Sequence, residues 1–326
     1  MKKLLTTTAI ASIALAGAAI AETKVSGSIE QTYNSNSHDK AAQEHKNTGA
    51  IGSETNVTFS SSKELDNGMT AAGKFRLENG SVDNKSFSLS SGGFTVELGI
   101  DTGTNITGDI IPTVADQTHD FMKHKGTLTI IATDSLIGAD AHDKEHIGFS
   151  YKSDVGTVAV NYMPSAASDN GSSSVTDSGG SAIEYVFAGN LGVDGLKVKV
   201  GQQTSESDST TSGDITEKTY QASYSMGQFS AGFAIRDKDD ETTTTEVSKS
   251  TAYAVGYAVN DQISLSYEDR TTEKDGATSD EEAKSFSVGY NLGGLAIVAN
   301  IGEIDNIGTT AGENGEAFQL RTVYKF

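Results

Sequence analysis

The sequence has no cysteine, no tryptophan, only two prolines and a shortage of basic residues. Without cysteine it can form neither a disulfide framework nor a thiolate metal cluster. With 24 Lys and Arg against 44 Asp and Glu, its formal net charge is −20, which disfavours binding to nucleic acid. After position 21 no run of 18 consecutive apolar residues occurs, so the sequence predicts no transmembrane helix.

The first 21 residues are similar to a secretory signal peptide. Two lysines follow the initial methionine, an apolar stretch comes next, and residues 19–21 form a small-x-small cleavage site. The apolar stretch is shorter than the ~20 residues that a membrane-spanning helix needs. We therefore expect residues 1–21 to be a cleaved signal peptide and residues 22–326 to form a single β-barrel domain.

Residues 22–326 repeat one unit, which consists of two alternating segments joined by a short turn and followed by a longer polar loop. In residues 218–226, Tyr220, Tyr224 and Met226 alternate with small polar residues, and Gly227-Gln228 then turns the chain. This pattern predicts an all-β fold, a transmembrane antiparallel up-and-down β-barrel of about 16 strands. The strands are predicted near 23–35, 51–63, 69–79, 84–91, 94–101, 146–153, 157–164, 182–191, 196–205, 218–226, 229–237, 250–259, 263–271, 284–292, 295–304 and 316–326.

Strict alternation also assigns each side chain to one face of the wall. If Phe75 and Leu77 face lipid, Lys74 and Arg76 face the lumen. The same parity places all four arginines of the sequence inside the barrel. The predicted basic wall of the pore consists of Lys24, Lys74, Arg76, Lys199, Arg236, Arg270 and Arg321.

The sequence resembles the general porins of Gram-negative bacteria, especially those of alphaproteobacteria. The resemblance covers the signal peptide, the opening strand at 22–30, the hairpin spacing and the last alternating strand, which ends in Phe326. It implies an outer-membrane channel for passive diffusion of ions and small hydrophilic solutes. It also implies a homotrimer surrounded by lipid and lipopolysaccharide, and a third extracellular loop that folds into the barrel.

The longest break in the alternation, residues 102–145, is the expected constriction loop. A structureless loop of this length is unusual in a compact fold unless it has a function. Its apolar residues favour packing inside the wall, although the Pro-Glu-Phe-Gly-Gly segment found in enterobacterial porins is missing. Four aspartates are predicted to form the acidic side of the pore, facing the basic wall and setting a transverse field: Asp109, Asp116, Asp120 and Asp134.

Other functions suit the sequence less well. A strand-rich acidic chain is also typical of a surface adhesin, but no short repeat in register is found. Residues 142–146 match the H-x-x-E-H pattern of zinc proteases, which would allow a hydrolase at the barrel rim, but the pattern requires a helix and lies between a loop and a strand. We expect no cofactor. The acidic cluster at 237–241 could bind Ca²⁺, but it lacks the glycine and terminal glutamate of a calcium loop, which favours a solvated loop.

Overall fold

The computed structural model describes residues 22–39, 49–100, 103–114, 145–164, 181–206, 213–240 and 248–326. The expected signal peptide and most of the expected constriction loop lie outside these ranges. The described residues contain no helix that is long and apolar enough to cross a membrane. Their strands are β1 (Glu22–His38), β2 (Ala50–Glu64), β3 (Thr70–Glu78), β4 (Ser81–Ser91), β5 (Phe94–Ile100), β6 (His146–Ser153), β7 (Gly156–Met163), β8 (Ala182–Gly189), β9 (Leu196–Ser205), β10 (Ile215–Met226), β11 (Phe229–Asp240), β12 (Ser248–Ala258), β13 (Ile263–Lys274), β14 (Glu281–Asn291), β15 (Leu295–Asp305) and β16 (Gly315–Lys325).

These sixteen strands form one closed antiparallel barrel, in which each strand pairs with its neighbours in sequence and β16 returns to β1. The seam is completed by backbone hydrogen bonds between Gly27 and Phe326, of 2.9 and 3.0 Å. Closure leaves no unpaired edge strand, so every strand has backbone partners on both sides. The predicted fold class and strand number are confirmed.

The barrel wall is apolar outside and polar inside. Tyr253 and Val255 on β12 are 61% and 54% exposed on the outer face, whereas Gln221 on β10 and Glu268 on β13 are buried on the inner face. This is the reverse of a water-soluble fold, because a strand sends successive side chains to opposite faces and here the apolar set points outward. An outer surface of this kind is stable in hydrocarbon.

Most connections at the end that carries both termini are short turns, and the longer loops lie at the other end. We take the short-turn end as periplasmic and the other end as extracellular. One extracellular connection departs from the prediction, because Asn79 and Gly80 alone join β3 to β4. Both have positive φ, 48° and 88°, which suits a two-residue hairpin. Strand β4 therefore begins at Ser81, not at residue 84, and a register shift in β3 between residues 75 and 77 accommodates it.

The last extracellular connection turns toward the inner wall. It contains a short 3-10 helix at Ile307–Thr309. The side chain of Ile307 is fully buried against Ala283, Ile304 and Ala317, which face inward on β14, β15 and β16. This small apolar cluster explains why the connection lies over the barrel mouth and not out in solvent.

Candidate functional site

Residues 103–114 lie inside the barrel and cross the inner face of the wall from β7 to β14. The backbone of this segment bonds to inward-facing side chains of successive strands, which satisfies polar groups that would otherwise be unpaired. These bonds are Asn161 Nδ2 to Thr104 O at 3.0 Å, Ile106 N to Glu184 Oε2 at 3.0 Å, Lys199 Nζ to Gly108 O at 2.9 Å, Ile110 N to Gln221 Oε1 at 2.8 Å and Val114 N to Ser266 Oγ at 2.8 Å.

The centre of this attachment is a buried ion cluster. Arg236 of β11 and Arg270 of β13 approach the two oxygens of Asp109 at 3.0 and 2.8 Å. Arg270 also donates to Glu268 Oε1 at 2.6 Å. The side chains of Arg236, Arg270 and Asp109 are only 4%, 3% and 2% exposed. Charge-assisted bonds of this kind fix geometry strongly, and losing one partner leaves a buried charge uncompensated.

Asp109 is ionised in this cluster at all ordinary pH values. Burial by itself raises the pKa of Asp109, because it disfavours the charged carboxylate. The charges of Arg270 and Arg236 and their hydrogen bonds outweigh this and lower the pKa from 3.8 to about 2.

Small residues on the inner wall make room for the apolar side chains of the segment. A Cβ added at Gly201 would lie 2.5 Å from Ile106 Cγ2, and one added at Gly289 would lie 2.6 Å from Val114 Cγ1. At Gly232 and Gly256 the added atom would lie 3.1 and 3.3 Å from the ring of Pro112. Ile111 packs against alanines 234, 252 and 254. The segment therefore lies against a row of glycines and alanines, a glycine track in the inner wall. It approaches the wall this closely because these residues have no larger side chain in the way.

The structure places all seven predicted basic residues on the inner face, in different settings. Lys24 and Lys74 are exposed to the lumen. Arg76 donates to Asp83 and to Glu78, the latter at 3.2 Å. Lys199, Arg236 and Arg270 hold residues 107–109 against the wall, and Arg321 lies 3.7 Å from Glu30.

The predicted acidic side of the pore is described at only one of its four positions. Asp109 was expected to face Arg236 and Arg270 across an opening, but it touches both of them. These three residues therefore form ion pairs and do not face one another across the pore, because the segment lies against the strands that carry the arginines. Asp116, Asp120 and Asp134 lie outside the described residues.

Sequence reasoning missed the residues that hold the segment through neutral or carboxylate side chains. Asn161, Glu184, Gln221 and Ser266 all occupy inward positions of the alternation, so parity alone could have marked them as lumenal. Parity does not reveal their partners, since Gln221 and Ile110 are 111 residues apart in the chain.

Neither the H-x-x-E-H segment at 142–146 nor the acidic cluster at 237–241 forms a metal site within the residues that the structure describes. His146 is the first residue of β6 and not part of a helix, and His142 lies outside the described ranges. No group of three or more His, Cys, Asp or Glu side chains in the described part of the chain is arranged to hold a metal ion.

A closed barrel with an apolar outer face, a charged inner face and a segment bound inside the lumen is an outer-membrane diffusion channel. The model of the Gram-negative porin family matches residues 6–309. The chain belongs to this family and forms a water-filled channel for passive diffusion of ions and small hydrophilic solutes in the outer membrane. Neither the adhesin nor the rim-hydrolase alternative receives support.

Solved structures share this fold at low sequence identity. An anion-selective porin from Comamonas acidovorans has a TM-score of 0.69 at 14% identity, covering 94% of this chain and 100% of its own. The outer-membrane-expressed OmpT of Vibrio cholerae has a TM-score of 0.63 at 15% identity, covering 95% and 99%. A trimer form of OmpT has a TM-score of 0.59 at 13% identity, covering 93% and 99%. None of the curated proteins matches the sequence.

Proposed function

We propose that the protein works as a homotrimer in which each barrel conducts separately, with its opening between residues 103–114 and the facing inner wall. The attachment of the segment to strands β7–β14 carries this proposal, because it leaves the wall from β16 through β3 to line the other side. Single-channel recording in a planar bilayer tests it. We expect current steps that occur in groups of three, and steps that occur only singly would contradict the trimer.

The residues that line the opening on the β16–β3 wall are Lys24, Lys74, Arg76 and Arg321 in this proposal. Their charges favour anions at the narrow part of the lumen, where a charged ring counts more than the net charge of the chain. Replacing Arg76 and Arg321 by Glu should move the reversal potential in a salt gradient toward cation selectivity. An unchanged reversal potential would exclude these two residues from the opening.

The outer surface of β16, β1 and β2 supports the trimer. Gln31 faces outward near the middle of β1, beside Thr322 of β16 and Ser53 of β2. Thr55 lies on the same face of β2. Polar side chains at this depth are costly against hydrocarbon, so the patch is better suited to contact with another subunit. By contrast, the outer face of β10–β15 carries many exposed apolar side chains, including Tyr220, Phe233, Tyr253, Val255 and Phe286.

A spin label distinguishes subunit contact from lipid contact, since the chain offers no cysteine of its own. Gln31→Cys and its matched control Val255→Cys each place one label on the outer face, on opposite sectors. We expect the label at position 31 to be shielded from oxygen dissolved in the bilayer and the label at 255 to be accessible. Equal accessibility would contradict a subunit contact at β1.

Residues 1–21 are a signal peptide in this proposal, and amino-terminal sequencing of protein purified from outer membranes should begin at Glu22.

The proposed surroundings of the barrel include lipopolysaccharide in the outer leaflet. It lies against the acidic extracellular rim, and divalent ions bridge the two. We further propose that the protein has no cofactor and is not an enzyme. Esterase or peptidase activity in purified protein that depends on His146 would contradict the last point.

A further inference from the structure

The inward-facing charges are unequally distributed along the axis of the barrel. A strand residue is assigned to the periplasmic half if it lies within four positions of the periplasmic end of its strand. By this measure the periplasmic half of the inner wall has seven cations and two carboxylates among the strand residues whose side chains the structure describes. They are Lys24, Lys74, Lys152, Lys197, Lys199, Arg321 and Lys325 against Glu64 and Glu97.

The extracellular half of the inner wall has the opposite balance. Among the strand residues whose side chains are described, it carries five cations and eight carboxylates. They are Arg76, Arg236, Lys238, Arg270 and Lys274 against Glu30, Glu54, Glu78, Asp83, Glu184, Glu217, Glu268 and Glu281. The described inner wall therefore changes sign along the axis of the barrel, from acidic on the extracellular side to basic on the periplasmic side, with Arg321 and Glu30, 3.7 Å apart, at the boundary.

The basic charges of the periplasmic half are also the more available ones. Lys24, Lys74, Lys152, Lys197 and Lys325 are exposed, and none of them forms an ion pair with a described residue. In the extracellular half, by contrast, the arginines at 76, 236 and 270 are engaged with carboxylates. The aspartates of the periplasmic turns are exposed at the rim, beyond the strands.

We propose that the periplasmic half of the lumen is an anion-binding vestibule that takes small multivalent anions, such as phosphorylated or polycarboxylic solutes, from the periplasmic side. Lys24 and Lys74 occupy one row of the wall, with Ser60 between them, so their Cα atoms are about 10 Å apart. Lys152 and Lys197 lie near the mouth. Several ammonium groups in one narrow aqueous space attract an anion with more than one charge more strongly than they attract chloride.

This inference rests on the proposed channel but goes beyond it, because a diffusion channel does not require an axial change of sign. It predicts asymmetric behaviour. An anion reaching the lumen from the periplasmic side meets the lysines first, whereas one arriving from outside must pass the acidic half. A small multivalent anion should therefore obstruct the current at lower concentration from one side of the bilayer than from the other.

The test is single-channel recording with sodium tripolyphosphate added first to one side and then to the other. We expect half-block at a concentration about tenfold lower from the periplasmic side. The triple variant Lys152→Gln, Lys197→Gln and Lys325→Gln should remove most of this difference. The matched control replaces Lys218, Lys249 and Lys284 by Gln, since these are three lysines on the outer face of the extracellular rim, and it should keep the difference.

Conductance before the blocker is added shows whether each variant has folded into a channel, so failure of the channel itself is distinguishable from failure of the vestibule. Equal block from both sides in the wild-type protein, or a triple variant that is blocked like the control, would overturn the proposal. A second measurement needs no variant. Raising KCl from about 0.1 M to about 1 M should weaken the block from the periplasmic side about tenfold, and no weakening would overturn the proposal equally.

Discussion

Asp109 and Arg270 are 161 residues apart in the sequence, and their side chains meet at 2.8 Å inside the barrel. Together with its contact to Arg236, this ion pair attaches residues 103–114 to the inner wall at β11 and β13. The Asp109 carboxylate is neutralised by two guanidinium groups, so it positions the segment and adds little free charge to the opening.

Replacing Asp109 by Asn should release the segment. The change removes the negative charge that both buried arginines share, and breaking a buried pair typically costs about 3–5 kcal/mol. We expect noisier single-channel current and a larger size limit for neutral polymers that enter the pore. Asp239→Asn, a carboxylate on the outer face of the rim, is the matched control. Unaltered noise and size limit in D109N would show that other contacts suffice.

Acid should have the same effect as that substitution. Because the pKa of Asp109 in the folded protein, about 2, is below its ordinary value of 3.8, the stabilisation is complete above about pH 4 and is lost as pH falls toward 2. The difference corresponds to about 2 kcal/mol. Current noise in wild-type channels should rise between about pH 4 and pH 2. In D109N it should be high throughout, and a wild-type transition centred above pH 5 would contradict the assignment.

The glycine track should be sensitive to a single added methyl group. In Gly201→Ala the new Cβ would meet Ile106 Cγ2 and also the carbonyl oxygen of Tyr185, at 2.5 and 2.8 Å. Overpacking of this kind costs about 1–3 kcal/mol, and we expect a lower unfolding temperature and altered conductance. The control is Gly73→Ala, where the nearest atom is 4.0 Å away. Equal unfolding temperatures for the two variants would show that the segment moves freely off the wall.

A charged side chain introduced on the outer face should destabilise the protein much more than one introduced on the inner face. Val255→Arg places a guanidinium in the apolar band of β12, and we expect the free energy of unfolding in lipid to fall by about 2–4 kcal/mol. Ser88→Arg, on the inner face of β4, is the matched control and should cost much less, because its new side chain reaches water. Urea titration of the protein folded into lipid vesicles measures both. Similar losses would contradict the assignment of faces.

Much of the architecture follows from local sequence. Tyr220, Tyr224 and Met226 alternate with small polar residues, and because a strand sends neighbouring side chains to opposite faces, this pattern predicts both the strand and its orientation in the wall. The same parity predicts that Arg236 and Arg270 point inward, and in the structure both contact Asp109 inside the barrel. It failed at β4, since Asn79-Gly80 is a tight hairpin within a polar stretch where a longer loop was expected.

The sequence by itself determined the strands, their number and their two faces, because the period of two is a property of each short segment. It also determined that residues 102–145 interrupt the pattern. Only the tertiary structure decided that Asp109 touches Arg236 and Arg270, that Gly201 and Gly289 receive the segment, and that exposed lysines gather at one end of the described inner wall. These relationships depend on the register and closure of sixteen strands, which bring together residues that are distant in the sequence. The alternation within a single strand does not predict such contacts.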